Sequence, residues 1–267
     1  MKKIILLFIS VFFVMSCSNH SHSFESDHIT EIFPEIYLSG ETDVYLDNRG
    51  NPVTGDFEAH HTNGVLHAEL SFEDGLIVSG SVWNDEGELR AVYSVEDGLL
   101  TVTYLHENGQ PSVRFQFEGD MKNVVATKSW FEDGSPQIKT TRTNHKTWHE
   151  NGQLAAEVPM VDGRAHGVGY GWHKNGELAG ENHFKDDQWH GSFRSWDENG
   201  NLISEKFYDM GMPDGVHKIW DSHGSLIEEK MYKNGKPHGA HKKWDGSGNL
   251  LEEIIFEDGQ VVAANQD

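Results

Sequence analysis

The amino-acid sequence predicts an all-β protein, an elongated single-layer antiparallel sheet of stacked β-hairpin repeats. Three observations predict it. Trp148, Trp172, Trp196, Trp220 and Trp244 recur every 24 residues, and Gly152, Gly176, Gly200, Gly224 and Gly248 follow them in fixed phase. Self-similarity at a fixed period marks a repeat architecture. Each copy also places two runs of strand-forming residues around a turn, as in Ser192–Trp196, then Asp197 to Gly200, then Leu202–Tyr208; a turn ending Asn-Gly is a strong hairpin signal. Finally, no window carries a helical period with caps.

From the first residue, Lys2 and Lys3 precede an apolar run from Ile4 to Val14. That run is too short for a membrane span, which needs about 20 apolar residues, and describes a secretory signal. It ends in Val14-Met15-Ser16-Cys17, which resembles the lipobox of bacterial lipoproteins, and Cys17 is the sole cysteine. The resemblance implies a signal peptide over 1–16, lipidation at Cys17 and a lipid-anchored protein of the cell envelope. Ser18 after the Cys, rather than Asp, implies the outer membrane by analogy. Membrane contact is then through the N-terminal acyl chains only.

Residues 17–43 are expected to form an acylated flexible tether, because the stretch after Cys17 is small and polar; His20, His22 and His28 read as solvated residues of that tether. The array spans 44–261, and 262–267 form a polar tail. The formal net charge is −22, and −24 once Lys2 and Lys3 are removed (19 basic against 43 acidic groups). Such an excess of acid excludes nucleic acid, whose binding needs Lys and Arg against phosphate, and excludes broad contact with anionic headgroups. It leaves an unknown protein partner, for which a basic one is compatible.

Aligned on the turn glycine, the repeats start at Gly50 and pass through Gly64, Gly87, Gly109 and Gly134 before the regular block, giving about nine units plus a half unit. Behind each Trp stand Leu154, Leu178, Leu202, Leu226 and Leu250, then Glu157, Glu181, Glu205, Glu229 and Glu253. An aromatic or Met slot follows, at Met160, Phe184, Tyr208, Tyr232 and Phe256, and His166, His190 and His238 precede closing glycines. A Gly bulge or three-residue loop would put Trp196, Leu202 and Tyr208 on one face. Trp and Leu are then expected to form a structural ladder, Trp near Trp of the next unit, in place of a globular core. Stability would be a sum of neighbour terms, over on the order of 85 Å at two strands per unit.

The pattern G-x-x-x-x-W-x-x-x-G-x-L-x-x-E of Gly191–Glu205, with the closing N-G-K-x-H-G of Asn234–Gly239, is similar to the bacterial variant of the MORN repeat over roughly Val44 to Val261. The resemblance implies a sheet of hairpins acting as an interaction scaffold. Many bacterial members carry an antitoxin label, so antitoxin-like action is one alternative.

The residues with most chemical potential are the five Glu, a candidate contact row about 10 Å apart along the array. They could form a groove for divalent cations or a basic partner, or a solvated face paired across the hairpin, as Arg194 with Glu205. Calcium needs six to eight convergent oxygens, and this spacing does not supply them. The 17 His, repeated at hairpin spacing, do not converge as zinc requires. No cofactor, metal or catalytic motif is expected. The expected function is therefore a non-enzymatic scaffold; the alternatives are a binder of surface polymer or divalent cations, or an antitoxin-like protein.

Overall fold

The computed structural model describes residues 29–39, 44–118 and 123–266. The signal peptide, Cys17, His20, His22 and His28 lie outside the described residues, as do 40–43 of the tether. The chain divides into two units, Met1–Gly134 and Ser135–Asp267. Both are built from antiparallel hairpins joined strand to next strand, as the repeat period requires.

In the first unit, two short strands, Ile36–Leu38 and Tyr45–Asp47, pair with each other. A meander follows, from Gly55–His60 to Val124–Trp130. Its core is apolar: Leu70 and Val102 are fully buried, with Ala68, Phe72, Ala91, Tyr93 and Phe117 around them. Ile29–Leu38 corrects the expected tether. Residues 29–32 form one helical turn, and Ile29, Phe33 and Ile36 are buried in this core. Their spacing of four and three residues puts them on one side of a turn, and the ring of Phe33 meets that of Phe57 edge-on at 6.1 Å. The fold thus begins at least as early as Ile29.

In the second unit the meander runs from Pro136–Thr141 to Gln260–Gln266. Two of its strands are interrupted by one residue, at His166 and Asp214. Two kinds of turn alternate. The turn at Asp197–Gly200 is closed by the Gly200 N–H donating to the Asp197 carbonyl at 3.0 Å, and only Gly200 has positive φ, +81°. The opposite turns are tight two-residue loops in which both residues have positive φ, as at Asn234 (49°) and Gly235 (79°). Asp, Asn and Gly tolerate that conformation best.

The register carries the main correction. Trp196 pairs with Leu202, but Ser195 pairs with Ser204, so Ile203 is a bulge. The bulge is present as expected, but it falls after Leu202, and each residue beyond it changes face. Trp196, Arg194, Leu202 and Glu205 therefore share one face, while Tyr208 lies on the other with Ser195 and Ser204. The same pairing recurs at Trp148–Leu154, Trp172–Leu178, Trp220–Leu226 and Trp244–Leu250.

Strand-to-strand ring contacts follow the second face rather than the Trp row. Tyr208, His217, Tyr232, His241 and Phe256 meet in succession at centroid distances of 5.3, 4.7, 5.5 and 4.4 Å. The closing glycines Gly167, Gly191, Gly215 and Gly239 stand opposite Phe184, Tyr208, Tyr232 and Phe256. At Gly215, φ is +106° and a Cβ would lie 3.1 Å from Phe207 Cβ, which accounts for glycine there.

Candidate functional site

The first face of the second unit, the Trp face, is the candidate site. Along its turn edge lie the Trp–Leu pairs. The five Trp and Leu154, Leu178, Leu202 and Leu226 are half-buried, while Leu250, in the last such pair, is 40% exposed. No stack of Trp on Trp appears among the described residues; each Trp packs beside its own Leu. Beyond the charged centre of the face stand Val168, His183, Phe207, Val216, Met231 and Ile255.

Between these two flanks runs one cross-strand row through the five glutamates. It reads Lys146, Glu157, Tyr170, Glu181, Arg194, Glu205, Lys218, Glu229, Lys242, Glu253, each opposite the next. The glutamates thus do not face one another: Arg194, Lys218 and Lys242 stand between four of them, and Tyr170 stands between Glu157 and Glu181. Lys146 Nζ is 3.0 Å from Glu157, Lys218 3.7 Å from Glu229 and Lys242 3.2 Å from Glu253. Arg194 bridges two of them, Nε donating to Glu205 Oε1 at 2.8 Å and Nη1 to Glu181 Oε1 at 3.4 Å. The Lys146 ammonium, with Asn144, holds the Glu157 carboxyl below its ordinary range, and Glu205 holds the Arg194 guanidinium above its own. Such half-exposed pairs each contribute on the order of 0–1 kcal/mol. The row therefore fixes register more than it adds stability.

The histidines serve the array. His61, His106, His149 and His173, in the turns, each place Nε2 2.9–3.1 Å from the carbonyl of the Trp one hairpin on. In the same turns Asn63, Asn108, Asn151 and Asn175 donate Nδ2 to a carbonyl of the next turn at 2.7–2.8 Å. From Asp197 onward that staple is replaced. Asp197, Asp221 and Asp245 accept backbone N–H groups of their own turns. The closing His166 and His190 sit 3.4 and 3.0 Å from Asp186 and Asp209. Among the described residues no three potential metal ligands of His, Cys, Asp or Glu converge. A cleft of about 480 Å³ lies in the first unit, between His61, His67, Trp83 and Arg90; its two imidazoles stack on each other at 4.0 Å.

Sequence reasoning found the Glu row and the Arg194 pairing. It missed that Lys146, Lys218 and Lys242 complete the row, although they stand at multiples of 24 residues from one another and from Arg194, a readable signal. It also missed Tyr170, which stands where the other repeats place Arg or Lys.

The MORN repeat variant matches four consecutive segments, residues 143–162, 165–186, 189–210 and 213–234, so this stretch is built of repeats of that kind. No curated protein matches the chain in sequence. Among solved structures, the chain aligns with "Crystal Structure of TcdB2-TccC3-Cdc42" at 10% identity and a TM-score of 0.20. It aligns with "Crystal Structure of TcdB2-TccC3" at 11% identity, also with a TM-score of 0.20. The alignments cover 79% and 84% of this chain but only 14% and 16% of those chains. Overlap so low carries no argument about this protein.

Proposed function

We propose that this protein is a non-enzymatic interaction scaffold whose contact surface is the Trp face of the second unit. One observation carries the reading: strand after strand, that face repeats half-exposed aromatic and aliphatic side chains beside a fixed polar row. Protein interfaces rely on such aromatic anchors with polar groups around them, and repeat sheets present them over an extended surface. The row holds nearly equal numbers of acids and bases, so affinity rests on the apolar flanks and the charges set register with the partner. The resemblance of Val14–Cys17 to a lipobox supports a lipid-anchored protein of the cell envelope, held through Cys17.

Cross-linked capture from the membrane fraction tests the scaffold. A partner recovered with wild type and with His223→Ser, an exposed turn residue, but lost with Met231→Glu on the Trp face, is the expected result. Recovery of the same partner at equal yield from all three would overturn the reading. Independently, Cys17→Ser should move the protein from the detergent-rich to the aqueous phase; unchanged partitioning would remove the lipid anchor from the proposal.

A further inference from the structure

The alternation of charge across the Trp face fails at one position. Glu157 and Glu181 both stand opposite residue 170, where the pattern requires a base, and the residue there is Tyr170. Two strands further along, the same arrangement of acid, central residue, acid is filled by Arg194. Its guanidinium reaches Glu205 at 2.8 Å on one side and Glu181 at 3.4 Å on the other. The molecule thus displays how a guanidinium bridges two glutamates of this row. Between Glu157 and Glu181 it supplies no such group among its described residues. It supplies instead an aromatic floor: the Tyr170 ring, in a residue 39% exposed, with the Trp172 ring 6.1 Å away and tilted by 36°.

From this geometry we infer that the niche formed by Tyr170, Trp172, Glu157 and Glu181 is a seat for an arginine side chain presented by the scaffold's partner. A guanidinium is planar, stacks on aromatic faces, and donates in a fork to carboxylates on either side, which an ammonium does less well. Among the described residues Glu181 is served by the longer, 3.4 Å arm of Arg194, which leaves it acceptor capacity. Glu157 is already held by Lys146 and Asn144, so it contributes mainly its charge. The surrounding protein, at a net charge of −22, adds long-range attraction for a basic segment.

The inference rests on the scaffold reading but fails separately from it. The probe is a short neutral peptide carrying one central arginine, titrated against the full chain while the Trp172 indole resonance is followed. A saturable shift is expected. It should be at least tenfold weaker with citrulline in place of arginine, weaker with lysine, and reduced by added salt. Tyr170→Arg should fill the seat from within, abolishing the titration without lowering Tm; should that variant fold poorly, Glu181→Gln serves, with a several-fold loss expected. Equal response to arginine and citrulline, or full response in a folded Tyr170→Arg or Glu181→Gln variant, would overturn the seat. If partner capture is lost in Met231→Glu yet kept in Tyr170→Arg, the scaffold stands and the arginine seat falls.

Discussion

The two units are built from the same hairpin and differ in what they place at the same position of it. On the face away from the Trp row, the fourth pair from the turn is Phe57–Leu70, Gly80–Tyr93 and Val102–Phe115 in the first unit. In the second it is His145–Val158, Gly169–Asn182, Phe193–Lys206, His217–Lys230 and His241–Ile254. Leu70 and Val102 are wholly buried, whereas among the described residues none from Gly215 onward is. The hairpin therefore does not require an apolar inner row. Where that row is apolar a buried apolar core forms. Where it is polar, the sheet rests on ring contacts, ion pairs and hydrogen bonds between neighbours.

The turns divide differently, and not along the unit boundary. At His61, His106, His149 and His173 the His and the Asn two residues on reach over to the next hairpin; at Asp47, Asp197, Asp221 and Asp245 an Asp closes its own turn. The first device couples repeats, and the second makes each turn self-sufficient. The contrast teaches that repeat identity in sequence does not mean uniform coupling along the array.

The largest expected effect tests the inner row. Leu70→Ala should cost about 2–5 kcal/mol, the range for truncating a fully buried Leu. Lys206→Ala, at the equivalent place, should cost less than about 1 kcal/mol. Urea unfolding followed separately for each unit checks this, and equal losses would break the comparison.

A smaller effect concerns the turns. His173→Ala and Asp197→Ala should each cost about 0.5–1.5 kcal/mol for the hydrogen bonds removed. Their reach should differ. Amide exchange should quicken in the Trp196–Leu202 hairpin when His173 is lost, but only within residues 197–201 when Asp197 is lost. Identical exchange patterns would mean that the staple does not couple neighbours.

The smallest expected effect is a pH dependence. His145 is 4% exposed, its Nδ1 lies 2.8 Å from Thr140 Oγ1, and burial holds its pKa below the ordinary 6.5. As pH falls below 6.5 the unfolded chain takes up the proton first, so stability that is complete at higher pH is lost toward the lower folded value. Glu157, whose folded pKa is depressed by Lys146, loses its contribution only below the ordinary carboxyl value of 4.5. Urea midpoints between pH 7 and pH 5 should thus fall for wild type and flatten in His145→Gln. An unchanged slope in the variant would assign the dependence to another group, such as His217, whose pKa burial also lowers.

Much of this was legible beforehand, and the exceptions have physical causes. The hairpin period, the turn glycines and the Arg194–Glu205 pair can all be read from spacing. The face of Tyr208 could not, because a single bulged residue at Ile203 reverses every side chain after it and nothing in the period marks where it falls. Ile29, Phe33 and Ile36 were readable as one apolar side of a turn, but polar neighbours concealed them. The staples from His149 and His173 were visible as residues and not as bonds, since their acceptors are backbone carbonyls, which carry no sequence signal.

The sequence by itself determined that the chain is an array of hairpins with Trp, Leu and Glu in fixed phase, because strand period and turn chemistry are local properties. Only the tertiary structure decided which of them share a face, which repeats are coupled, and that Tyr170 interrupts a row of charges. Those depend on strand register and on contacts between residues some 20 positions apart, where a one-residue shift changes every neighbour.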